Sequence, residues 1–248
     1  MGLQVEGKNV LVTGANRGIG KAIVEGALSR GAAKVYLAVR NLDSARPLVE
    51  EHGDRVVPIQ LDLEQPETIL QAANTANDVD IVVSNAGVLK VSNPLEADAI
   101  ENLQYEIDIN VFGLMRMAQA FAPVLKENGG GVFVQLNSVA SLRSFADFAT
   151  YCASKAAAYS ITQSLRAVLA EQGTTVISVH PGPIDTDMAH SAGLGDLVEP
   201  VTLVSDALFD AIENDRFHVF PDSTAQAVGG EYQSFAENVV EPASSGQA

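Results

Sequence analysis

The chain has 248 residues, 47% of them hydrophobic, and its 31 acidic against 15 basic side chains give a formal charge of −16. That length and apolar content suit one large α/β domain over residues 1–248, while the negative balance repels nucleic acid and anionic membrane surfaces, although solubility accounts for the total equally well. No apolar run approaches bilayer-spanning length, no basic and apolar leader precedes a first strand beginning by Lys8, and a lone Cys152 excludes an intrachain disulfide, so a cytoplasmic protein is expected.

Asn9 to Val12 is an apolar run fit for a buried parallel strand, and from Ile19 the residues Ile23, Ala27 and Leu28 return at helical spacing. Between them Gly14, Asn16, Arg17, Gly18, Ile19 and Gly20 form a turn in which glycines let the backbone approach a pyrophosphate seated on the helix amides. The GxxxGxG spacing is a weak signal alone. Lys34 to Val39 reads as a second strand, and at its end stand Val39 and Arg40, where an NAD site places Asp or Glu for the ribose 2′-hydroxyl. Arg17 and Arg40 together suit a 2′-phosphate, so NADP is preferred over NAD. The competing reading makes both ordinary surface arginines.

Arg55 to Gln60 is the third strand, followed by Asp62 and Leu63, where the carboxylate either accepts from an adenine amino group or caps a helix after Pro66. Val79 to Ser84, the fourth strand, runs into Asn85, Ala86 and Gly87, small enough for close cofactor approach. The pattern from Ala97 to Lys126 predicts one long helix with Asn110 inside it, a poor mid-helix residue that wants either a structural hydrogen bond or a water-holding catalytic role. Gly131 to Leu136 is the fifth strand and ends in Asn137 and Ser138. Tyr151 and Lys155 then lie four apart on one face of an Ala-rich helix reaching about Ala170. Cys152 between them reads as a packing residue.

Thr174 to His180 is the sixth strand, leading to a loop in which Pro181, Gly182, Ile184 and Thr186 shape a pocket floor, with Thr186 available for an amide contact. Residues 188–200 read as a mobile lid, Leu203 to Asn214 as a helix, Phe217 to Phe220 as a short closing strand, and 242–248 as a frayed tail. No metal site is expected.

Taken together, TGANRGIG from Thr13, the NAG at Asn85, Asn110, Ser138, the YxxxK at Tyr151 and the PG at Pro181 resemble the short-chain dehydrogenase/reductase family, in order and spacing, to about Asp222. The resemblance implies a doubly wound Rossmann-type α/β fold: a seven-stranded parallel sheet with helices on both faces. It also implies a catalytic tetrad of Asn110, Ser138, Tyr151 and Lys155, a homodimer or homotetramer, and a likeness to NADP-preferring carbonyl reductases. Ser84, Asn137 and Ser141 depart from the common family pattern.

The expected reaction interconverts a carbonyl compound and its alcohol by hydride transfer, with Tyr151 as acid or base, its phenol pKa lowered by Lys155 with help from the charge of an oxidised nicotinamide. Ser138 would hold the substrate oxygen and Asn110 a water linking Lys155 to solvent. Between Arg166 and Arg216 there is no Lys or Arg but nine Asp or Glu, an acidic rim that favours a neutral, lipophilic ketone or aldehyde over anionic thioesters. The alternatives are a 3-oxoacyl thioester reductase and a non-catalytic NADP-binding regulatory protein.

Overall fold

The computed structural model describes residues 2–241, and the tail expected to fray lies outside them. Seven parallel strands form one sheet in the order β3-β2-β1-β4-β5-β6-β7. They are β1 (Asn9–Thr13), β2 (Lys34–Val39), β3 (Val56–Gln60), β4 (Ile81–Ser84), β5 (Gly131–Leu136), β6 (Thr174–Val179) and β7 (His218–Val219). The order reverses between β1 and β4, which opens a crevice beyond the carboxyl ends of the central strands.

Alternation along the strands builds two cores. Val10 and Val12 of β1 pack with Val35, Leu37, Val132 and Val134 on one face, against helices α1 (Gly18–Ser29), α2 (Arg46–His52) and α8 (Val201–Asn214). Leu11, Val82, Phe133 and Val176 point the other way, towards α3 (Pro66–Thr75), α5 (Gly113–Glu127) and α6 (Ala149–Ala170). Residues buried on both faces explain why these strands read as continuous apolar runs and not as alternating ones. Each fully buried Val, Leu or Phe contributes about 1.5–3 kcal/mol.

The expected helix from Ala97 to Lys126 is divided. It begins as α4 (Ala99–Ile107), passes through a π turn at Asp108–Phe112 and continues as α5. The extra residue of a π turn lets a polar side chain enter the interior without breaking the helix, and Asn110 is buried there. The proposed lid begins as a short helix, α7 (Asp187–Ser191), and its far end is fastened by Asp185 N to Glu199 O at 2.9 Å and Glu199 N to Pro183 O at 3.1 Å. After Asp222, where no motif could be read, a further helix forms, α9 (Ser223–Phe235), continuing into a π turn at Ala236–Val240. Asp222 starts it: Oδ1 accepts from Ala225 N at 2.9 Å. Among the described residues no helix is long and apolar enough to cross a membrane.

Candidate active site

The crevice is shaped first by the turn after β1. Gly14 and Gly18 have φ of +65° and +52°, a conformation that costs a glycine little. A Cβ on Gly20 would lie 2.1 Å from Gly14 O, so only hydrogen fits where α1 meets the turn. Arg17, extended at φ −157°, gives α1 no side-chain cap, leaving its first amides as donors at the positive end of the helix. The turn after β4 is stapled alongside. Thr13 Oγ1 accepts from Asn85 N at 2.8 Å and Ala86 N at 2.9 Å, and Asn85 Nδ2 donates to Thr13 O at 2.8 Å.

A cavity of about 740 Å³ occupies this crevice. It runs from Arg40 over Gly14, Asn16, Arg17, Gly18, Ile19 and Gly20, past Asp62, Leu63, Asn85, Ala86 and Gly87, to Tyr151 and Lys155, with Pro181 and Thr186 on the far wall. Asn110, Ser138, Gly182 and Ile184 do not line it. Ile184 is 3% exposed and packs in the core beside α8. Gly182 donates its amide to Asp222 Oδ2 at 2.7 Å, and a Cβ there would lie 2.5 Å from Asp222 Oδ1, so its service is to seat the start of α9. Asp62 does not cap α3, whose N-cap is Gln65. It turns its own loop, accepting from Glu64 N at 3.1 Å and Gln65 Nε2 at 3.2 Å.

Sequence reasoning missed several lining residues, Asn41 and Ser44 beside Arg40 and Tyr105 and Ile109 near Tyr151, while Asp185 and Asp187 entered only through the acidic rim and His190 only as part of the lid. Asp187 meets Arg17 at 2.7 Å, an exposed ion pair across the mouth of the groove.

At the inner end, Asn110 makes a double contact with the loop after β4: its Oδ1 accepts from Val88 N and its Nδ2 donates to Val88 O, both at 3.0 Å. Nδ2 also donates to Ser154 Oγ at 2.9 Å. Asn110 Oδ1 and Lys155 Nζ still share one space, lying 3.0 and 3.6 Å from where a Cβ on Gly87 would stand. Ser138 closes β5, accepting from Ala140 N at 3.1 Å and donating to Pro181 O at 3.3 Å.

Tyr151 sits in the first turn of α6 with its phenol pKa raised, because burial penalises the phenolate more than the Ser138 hydroxyl relieves it. The expectation of a lowered phenol is therefore reversed in this geometry. Lys155 Nζ donates to Leu136 O at 2.8 Å and lies 5.8 Å from the Tyr151 ring centroid. Burial brings its own pKa down to about 8, against the opposing charge of Glu106.

The departures at Asn137 and Ser141 belong to one buried cluster under Ser138. His180 Nδ1 pairs with Ser141 Oγ at 2.9 Å and Nε2 with Ser178 Oγ at 2.7 Å, while Asn137 Nδ2 donates to Ser178 Oγ at 2.9 Å. Burial pushes the imidazole pKa down to about 3, so the ring is neutral.

The arrangement can seat an extended anionic nucleotide and present a phenol and an ammonium at its inner end. Comparison with known proteins agrees in kind. The family model described as "short chain dehydrogenase" matches residues 8–196. The 1-deoxy-11-beta-hydroxypentalenate dehydrogenase of Streptomyces avermitilis is 31% identical over 238 residues, covering 90% of this chain and 88% of that protein. The 3-oxoacyl-[acyl-carrier-protein] reductase FabG of Vibrio cholerae is 34% identical over 190 residues, 75% of this chain and 77% of that one. A crystal structure of a short-chain dehydrogenase from Burkholderia cenocepacia, in complex with NADP, superposes with a TM-score of 0.86 at 35% identity, covering 97% of this chain and 100% of that chain.

Proposed function

The chain belongs to the short-chain dehydrogenase/reductase family of oxidoreductases, and from that premise we propose an NADP(H)-dependent reductase of neutral, lipophilic ketones and aldehydes in which Tyr151 is the acid. The observation that carries this reading is the continuity of one cavity from Arg17 and Arg40 to Tyr151 and Lys155. The residues fit NADP: glycines that leave no room for side chains, uncapped amides for the pyrophosphate, and two guanidinium groups where a 2′-phosphate would lie. The NADP complex of the Burkholderia cenocepacia relative supports the same choice.

Bound in this groove, NADPH would supply a hydride to the carbonyl carbon. The carbonyl oxygen then gathers negative charge and needs a proton. Tyr151, a neutral phenol with a raised pKa, holds that proton at neutral pH, which favours the reductive direction. Ser138 turns its hydroxyl from the long bond to Pro181 O and donates to the substrate oxygen. Lys155 neutralises the phenolate left behind, and Asn110 Oδ1 faces it across Gly87, where a water between them would return the proton. Val88, Tyr105, Ile109 and Met188 give an apolar lining beside the acidic Asp185 and Asp187, which suits an uncharged substrate.

The test is oxidation of NADPH and NADH against a panel of ketones, aldehydes and one β-ketoacyl thioester. The expected result is NADPH-dependent turnover, best on lipophilic ketones, that Tyr151→Phe reduces by about 10²-fold or more with NADPH binding intact. Near-normal turnover by that variant overturns the acid assignment, and a clear preference for the thioester overturns the substrate class.

A further inference from the structure

Glu106 is a carboxylic acid with no exposed surface, one turn before Asn110, and the tetrad leaves it without a role. Its Oε1 accepts from Lys90 N at 2.7 Å. Two residues earlier along the same loop, Val88 is held through both its backbone groups by Asn110. Val88 and Lys90 stand two apart on the loop after β4, and Glu106 and Asn110 stand four apart on the helical stretch that faces it. Glu106 and Asn110 therefore grip residues 88 and 90 as two rungs, the π turn setting the second. Beyond the grip, Ser92 N donates to Asp147 O at 2.9 Å and Ala149 N to Ser92 O at 3.0 Å, so the segment is tied to the start of the helix that carries Tyr151.

The second oxygen is the unusual one. Glu106 Oε2 and the neighbouring Thr150 hydroxyl are both buried and lack a well-formed hydrogen bond. A buried carboxylate costs several kcal/mol unless other charges compensate it. Burial pushes the Glu106 pKa up, and the groups that oppose this and favour the carboxylate are the Thr150 hydroxyl, Lys90 on the gripped segment and Lys155 on α6, with Tyr151 also facing it.

We propose that Glu106 is a positioning residue of the active site, gripping the Val88–Lys90 wall together with Asn110 and supplying the buried negative charge that keeps Lys155 an ammonium. Burial alone drives Lys155 towards neutrality, and Glu106 is the charge that opposes it. The same charge disfavours the Tyr151 phenolate, so both partners stay protonated for reduction. The proposal rests on the reductase reading for its meaning, though not for its test.

The test is a pH titration of the cofactor-free protein with ¹⁵N-labelled lysine, the Lys155 Nζ signal being assigned by its loss in Lys155→Met. Glu106→Gln keeps the acceptor for Lys90 N and removes only the charge. The Lys155 midpoint is expected near pH 8 in the native protein and lower by about one pH unit in Glu106→Gln. An unchanged midpoint overturns the proposal. Should Glu106→Gln fail to fold, the native protein labelled with ¹³C-glutamate decides: the Glu106 carboxyl signal, assigned by its loss in Glu106→Asp, must inflect where Lys155 titrates, and a flat signal overturns the coupling. With an active substrate, the basic limb of the reductive pH profile moves down in Glu106→Gln, which a purely structural acceptor would not cause. Failure of the whole substrate panel would count against the reductase reading and leave both titrations readable.

Discussion

Protonating His180 would make both ring nitrogens donors, so that a buried hydroxyl at Ser141 or Ser178 that had donated to the ring must turn its hydrogen away, and the charge itself would be buried. Its pKa falls from the usual 6.5 to about 3 on folding, so the unfolded chain binds the proton first. The stability it contributes is complete above about pH 6.5 and is lost as pH falls towards 3. His180→Asn is expected to be less stable at pH 7.5 by about 1–3 kcal/mol, from orphaned hydroxyls, with a lower Tm there and a shallower fall in Tm between pH 6.5 and 4 than the native protein. Parallel Tm curves would refute the linkage. At the groove mouth, Asp187 competes with an incoming phosphate for Arg17. Asp187→Asn is expected to lower KM for NADPH by about two- to threefold and leave NADH unchanged, in steady-state kinetics at low salt. Of these residues, Arg17 was legible as a cation in a glycine loop. Ser141 and Asn137 showed only as departures from a pattern, because their partners Ser178 and His180 lie about 40 positions away and meet them through strand pairing alone.

Elements with a strong period or a sharp boundary were the legible ones. β2 and β5 fall on the residues expected, and α6 begins two residues before Tyr151. The π turn was not legible, since one inserted residue barely disturbs an apolar pattern over thirty positions, and the misplaced Asn110 was its only trace. Helix α9 was hidden for another reason. Its sequence, STAQAVGGEYQSF, is small, polar and interrupted by two glycines, so its stability comes from tertiary anchors and not from propensity. Asp222 is the main anchor: 1% exposed, it caps α9 through one oxygen and holds Gly182 N through the other. Asp222→Ala is expected to cost about 1–3 kcal/mol in urea unfolding and to raise KM for NADPH, as the Pro181–Gly182 turn loosens against the groove. Loss of stability with an unchanged KM would confine α9 to a structural role.

Across the whole molecule, most lysines and arginines already have acidic partners, among them Lys8, Arg30, Lys34 and Arg116. The −16 charge is therefore a surplus of unpaired carboxylates over the surface. Self-repulsion of this kind is screened by salt, so Tm is expected to rise between low salt and about 0.5 M NaCl; a fall would mean that the ion pairs matter more than the surplus. The parallel sheet itself followed from the order of motifs, because each strand-to-strand crossover needs a helix between. Its central pairing also bears on how the protein is made. Strands β1, β2 and β3 can associate as soon as they leave the ribosome, but the staple from Thr13 to Asn85 spans 72 positions and waits for β4. Until then the glycine turn has no opposite wall. A growing chain thus carries its most exposed apolar edge, β1, through a long stretch of synthesis, until β4 covers it.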